Sequence, residues 1–164
     1  MLTPAQYTAL KNHIDNTPAL AAQPNNSDGA FTIAAAMNLP ANPAWIVWRT
    51  SVTRKEILQN GFDWTRLDNL SVGKARVWSD IFVDGSLNPS KANVRAGIES
   101  VWVGTAQDLA VRAAVYIHCK RAATIAQKLF STGTGSDATP ATMDTDIPET
   151  FVLQYSDVEI ARNP

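Results

Sequence analysis

The chain has 164 residues, 45% hydrophobic and 18% charged, with a formal net charge of -1. These values describe one soluble globular domain large enough to bury a core. No apolar run approaches the ~20 residues of a membrane span, and no basic start followed by an apolar block marks a secretory signal. The pI of about 6.1 argues against a nucleic-acid-binding domain, for which values above about 9 are typical.

The near-neutral total hides an asymmetry. Between Arg49 and Lys128 there are twelve Lys/Arg against seven Asp/Glu. Beyond Lys128 the acids Asp137, Asp144, Asp146, Glu149, Asp157 and Glu159 face only Arg162. A positive body with a negative tail predicts that the tail docks on a positive surface, of the same subunit or a neighbour.

In chain order, Thr3-Pro4-Ala5-Gln6 predicts a helix with a capping box and Pro at its first position. Leu2 and Tyr7 are spaced for a hydrophobic staple, and Tyr7, Leu10 and Ile14 form its apolar stripe. Thr17-Pro18 opens a short helical turn, and residues 23–29 form a loop by composition. A short Ala-rich helix is expected from about Gly29 to Met37. The run from Ala44 to Trp48 fits a strand or a helix, its two Trp serving as core anchors.

Thr53 with Glu56 predicts a capped helix ending before Gly61. Ser71 caps a helix to about Val83, with Val72, Ala75, Trp78 and Phe82 inward. Asn88-Pro89 opens another to about Trp102. Thr105 to Phe130 then reads as one long central helix, about 25 residues or roughly 37 Å, capped by Thr105 and Asp108. At helical spacing Val111, Ala114, Val115, Cys119, Ala122, Ile125, Ala126 and Leu129 share one apolar arc. Arg112, Lys120, Arg121 and Lys128 lie off it as a candidate basic channel or subunit-contact face.

Residues 131–148 are almost free of apolar side chains and predict an extended or mobile arm. The run Phe151, Val152, Leu153, Gln154, Tyr155 alternates like a strand. Such a tip either packs back on its own domain or plugs into a partner, which makes Phe151, Val152, Leu153 and Tyr155 candidate docking residues. The expected fold is mainly α: a compact bundle of about five to six helices over residues 1–131, with a long central helix and a polar C-terminal arm over 132–164. Removing residues 136–164 is accordingly expected to leave a folded body.

No catalytic, cofactor or metal set emerges. His13 and His118 have no helical partner at the spacing of a zinc site. Gly133-Thr134-Gly135-Ser136 lacks the Lys and the preceding strand of a phosphate loop and reads as a linker. There is no G-x-S-x-G elbow. Lone Cys119 reads as a small core residue of a protein made in a reducing compartment.

Several strings together resemble a known family: NSDG at 26–29, WIVWR at 45–49, NGFDW at 60–64, VGKARVW at 72–78, LNPSKANVRAG at 87–97, KRAAT at 120–124, LFSTGTG at 129–135 and YSDV at 155–158. They resemble a small virion structural protein of tailed bacteriophages and prophages, most similar to a head-to-tail adaptor. The resemblance implies a non-enzymatic ring of copies, commonly twelve, with the portal protein on one side and the next neck or tail protein on the other. It implies assembly in the host bacterial cytoplasm, residence in the virion, passage of DNA through the ring and no cofactor. A capsid-decorating or tail-completion protein is the alternative, and a small DNA-binding regulator the third.

Overall fold

The computed structural model describes residues 1–163. Their elements are α1 (Pro4–Asp15), α2 (Pro18–Ala21), α3 (Ser27–Met37), β1 (Ile46–Trp48), β2 (Val52–Thr53), α4 (Arg54–Gln59), α5 (Val72–Asp80), β3 (Ser86–Leu87), α6 (Ala92–Val101), α7 (Ala106–Cys119), β4 (Lys120–Ala122), α8 (Ile125–Leu129), β5 (Ser131–Thr132), β6 (Thr142–Met143) and α9 (Tyr155–Arg162), with one 3-10 turn at Trp64–Arg66. The expected bundle of about five to six helices is therefore corrected. Among the described residues half are helical, in nine helices, 11% lie in small sheets, and the class is mixed α/β.

The chain divides into two compact units, residues 1–47 with 122–163 and Trp48–Arg121. The passages between them fall inside β1 and β4.

In the first unit α1 begins as its residues dictate. Thr3 Oγ1 accepts from the Gln6 N–H at 3.3 Å, and the Thr3 N–H donates to Gln6 Oε1 at 2.9 Å. This pins the first turn and directs Leu10 and Ile14, both buried, inward. Asn26 caps α3 through the Gly29 N–H at 3.0 Å, so the helix starts two residues before the expected Gly29. The core joins Leu10, Ile14, Ile33 and Met37 to Phe130, Leu153 and Val158. Antiparallel β5 and β6 pair Ser131 with Met143 and Thr132 with Thr142. Ile46 donates to the Gly135 carbonyl at 2.8 Å, and its own carbonyl accepts from the Ala141 N–H at 2.9 Å. Backbone pairing thus settles the 44–48 run as extended.

In the second unit β2 pairs antiparallel with β3, Val52 opposite Leu87. Thr53, Ser71 and Thr105 cap α4, α5 and α7 through their side chains, as their spacing predicts. Trp78 packs at its centre, 5.3 Å from Trp102, 5.0 Å from Phe82 and 5.8 Å from Phe62 between ring centroids. The Trp102 and Phe82 pairs are edge-to-face and the Phe62 pair is stacked, and aromatic pairs of both kinds add to the burial of the rings. Val72 faces out at 89% exposure, because it occupies the first turn of α5 before the helix reaches the core.

The long helix from Thr105 to Phe130 is also corrected. α7 ends at Cys119, Lys120 takes extended angles (φ -122°, ψ 155°), and α8 restarts at Ile125. Thr124 caps α8 by a full capping box with Gln127. That Thr-x-x-Gln spacing was present inside the supposed helix and is the signal that marks the break. Of the predicted arc, Val111, Val115 and Cys119 are buried on α7, while Ala122 is exposed beyond the break.

Candidate functional site

The C-terminal segment is not an extended arm. Met143, Ile147, Leu153, Val158 and Ala161 are all buried in the core of the first unit. The strand-like stretch before α9 is held by two side-chain amides. Asn38 Nδ2 donates to the Leu153 carbonyl and Asn38 Oδ1 accepts from the Leu153 N–H, both at 2.9 Å, as a neighbouring strand would. Gln127 Nε2 donates to the Phe151 carbonyl at 3.1 Å. Phe151 packs edge-on against Phe130, centroids 5.8 Å apart. Substituting Asn38→Ala removes both partners of the Leu153 backbone. It is expected to cost about 2–4 kcal/mol by leaving two polar groups unpaired, read as a lowered denaturation midpoint.

The four candidate docking residues therefore divide. Leu153 is buried and Phe151 half-buried, and both serve the core. Val152 is 55% exposed and Tyr155 39% exposed. Tyr155 stacks on Phe31 of α3, itself 55% exposed, at 4.1 Å between centroids. Phe31, Val152 and Tyr155 thus face outward, as do Leu39 and Ile160 of the same unit. Phe31 escapes sequence reasoning because it sits on an Ala-rich helix with no other mark.

The expected meeting of an acidic tail with basic residues does not occur at Asp144, Asp157 or Glu159. These accept from Gln6 Nε2 at 3.3 Å, the Tyr7 hydroxyl at 3.1 Å and the Ser27 hydroxyl at 2.7 Å. The Tyr7 hydroxyl is pushed above its ordinary pKa by burial first and by Asp157 second.

The proposed basic face is not one surface of one element. Arg112 on α7 and Lys120 and Arg121 on β4 belong to the second unit, and Lys128 on α8 to the first. In the second unit Arg49 pairs with Glu56 and donates to the His118 carbonyl at 3.2 Å. His118 Nε2 lies 3.1 Å from the Asn60 carbonyl, joining α7 to the end of α4. Arg66 meets Asp108 at 2.7 Å, and this bond, followed by Thr105, holds the Asp108 carboxyl below its ordinary range. Cys119 is fully buried, and burial pushes its thiol up to about 12. These contacts hold the unit together.

The feature with the character of a binding site is a cavity of about 520 Å³ in the first unit, around Trp45. Its walls come from α1 (His13), the loop before β1 (Asn42, Trp45), α8 (Ile125, Lys128, Leu129) and the start of β5 (Ser131). The indole is held on several sides. Its Nε1–H donates to Ser131 Oγ at 2.9 Å, and that hydroxyl donates to the Lys128 carbonyl at 2.9 Å. Gly135, at φ +64°, lies against the ring so closely that an added Cβ would stand 2.1 Å from Trp45 Cδ2. Gly135 of the LFSTGTG string is thus a seat for an indole, and Gly133 packs against Ala141, so the string is neither a linker nor a phosphate loop. Lys128 Nζ sits 4.8 Å from the centroid of the Trp45 ring, in cation–π range. His13 is pushed below its ordinary pKa, by burial first and by Lys128 second.

Among the described residues no group of three or more His, Cys, Asp or Glu is placed to hold a metal, and no helix is long and apolar enough to cross a membrane. The Trp45 cavity brings a cation, an imidazole and an indole to one place. No family model, curated protein or solved structure matches the chain.

Proposed function

We propose that the chain is a structural protein of a tailed-phage virion, acting as a head-to-tail adaptor whose copies form a ring between the portal and the tail. The motif strings shared with that family support the reading. The observation that carries it is the Phe31–Tyr155 stack with Val152 beside it in sequence: solvent-exposed apolar side chains on a segment otherwise fastened to its own unit. Exposed aromatic and branched apolar groups on a rigid support are what a protein–protein contact uses. The partner is a neighbouring virion protein or a second copy. The docking surface in this reading is the outer face of a packed segment, rather than the tip of a free arm.

The test is a double variant, Phe31→Ser with Val152→Asp, expressed in place of the native chain during particle assembly. Both positions are exposed, so the melting curve is expected to stay within about 1 kcal/mol of wild type. Incorporation into particles is expected to fall at least about tenfold, the equivalent of roughly 1.4 kcal/mol. A folded variant incorporated at the wild-type level would contradict the assignment of this face.

A further inference from the structure

We infer that the Trp45 cavity is a binding site for an organic monocarboxylate with a flat apolar body, its carboxylate on Lys128 and its body against the indole.

The two nitrogen bases that border the cavity, Lys128 and His13, have no acid partner among the described residues. Lys128 has no carboxylate within ion-pair distance among the described residues, and its ammonium group stands over the Trp45 ring. Among the described residues the His13 ring makes no hydrogen bond, while its backbone carbonyl accepts from the Thr17 hydroxyl at 2.7 Å. Two nitrogen bases therefore border one cavity with no acid between them. The remaining wall is mainly apolar, from Ala41, Ile125, Leu129 and the indole, with the neutral polar side chains of Thr17, Asn42 and Ser131 among them.

Three features set the ligand class. The volume of about 520 Å³ lies in the range of roughly 300–1,000 Å³ typical of small-molecule sites, which are mostly apolar with a few placed polar groups. The fixed charge is single, because His13 is held toward its neutral form by burial and by Lys128. One negative charge matches it, whereas a phosphate dianion would bring a second charge into a largely apolar site without a partner. The indole is immobilised by Ser131 and Gly135, so a flat body meets a surface that is already ordered.

The experiment titrates the isotope-labelled full chain with naphthoate and with neutral naphthamide, following amide and indole N–H resonances. Naphthoate is expected to bind one per chain, to shift the Trp45 indole N–H, and to bind at least about tenfold more tightly than naphthamide. Lys128→Gln is expected to lose that preference, and Lys128→Arg to keep most of it. A peptide ending in a free Phe carboxylate, run beside naphthoate, identifies by the tighter binder whether a chain end or a free acid is the source. Equal binding of acid and amide to the unaltered protein would overturn the inference. So would undiminished selectivity in folded Lys128→Gln, shifts confined to residues away from Trp45, or no saturable binding of any of these probes.

Discussion

Deleting residues 136–164 is expected to unfold the first unit. The deletion removes β6, α9 and the buried side chains Met143, Ile147, Leu153 and Val158. Each such side chain contributes roughly 1.5–3 kcal/mol by leaving water, so four contribute on the order of 6–12 kcal/mol. That is comparable with the ~5–15 kcal/mol that separates a whole domain from its unfolded state. The deletion also bares the faces of α1 and α3 that α9 covers, and leaves Asn38 without the Leu153 backbone. Circular dichroism should show loss of helix beyond the eight residues of α9, with a non-cooperative melt of what remains. A truncated chain that kept a cooperative melt and the signals of α1 and α3 would show that the segment is an appendage after all.

Gly135→Ala is the second large expected effect. The residue sits at φ +64°, and its Cβ would stand 2.1 Å from Trp45 Cδ2. The left-handed conformation costs a non-glycine residue about 1–2 kcal/mol. Displacing a packed indole adds overpacking of about 1–3 kcal/mol, and the Trp45–Ser131 hydrogen bond is lost with it. The sum is roughly 3 kcal/mol or more, measurable as a fall in the denaturation midpoint. Gly73→Ala is the control: it lies in α5 with nothing within 4 Å of its would-be Cβ. It should be neutral or stabilising by up to about 1 kcal/mol. Equal midpoints for the two variants would mean that Gly135 does not seat the indole.

What was legible in the sequence was local. Thr3 with Gln6, Thr53 with Glu56, Ser71 and Thr105 with Asp108 mark helix starts by hydrogen bonds that reach three residues, and each cap is where its spacing puts it. The break at Lys120 was hidden because residues 120–123 are good helix formers and the apolar spacing of α7 runs on in phase into α8. Extended pairing there is a tertiary effect, with Arg49 donating to the Cys119 carbonyl at 2.9 Å and Ala123 donating to the Trp45 carbonyl at 2.8 Å. The polar stretch 131–148 was read from its average composition. Of its few apolar residues Ala141, Met143 and Ile147 are nonetheless buried, Ala138 alone being exposed, and backbone pairing with Ile46 and β5 does the rest.

The cavity was illegible for a related reason. His13, Trp45 and Lys128 are more than thirty residues apart at each step, and no local period connects them. A continuous helix from Thr105 to Phe130 would align Lys128 with Arg112, Lys120 and Arg121. Once α8 is a separate helix, Lys128 belongs with Trp45. In the 151–155 run the alternation holds for Phe151, Val152 and Leu153 and fails at Tyr155, which opens α9 and is exposed where a strand would turn it inward.

The measurement that tests the functional reading most directly is the copy number and position of the chain in purified particles, by quantitative mass spectrometry and by electron microscopy of a labelled copy. An adaptor predicts a small fixed number of copies in a single collar at one vertex, between head and tail. Absence from the particles would contradict a virion role altogether, and many copies spread over the shell would contradict the adaptor position.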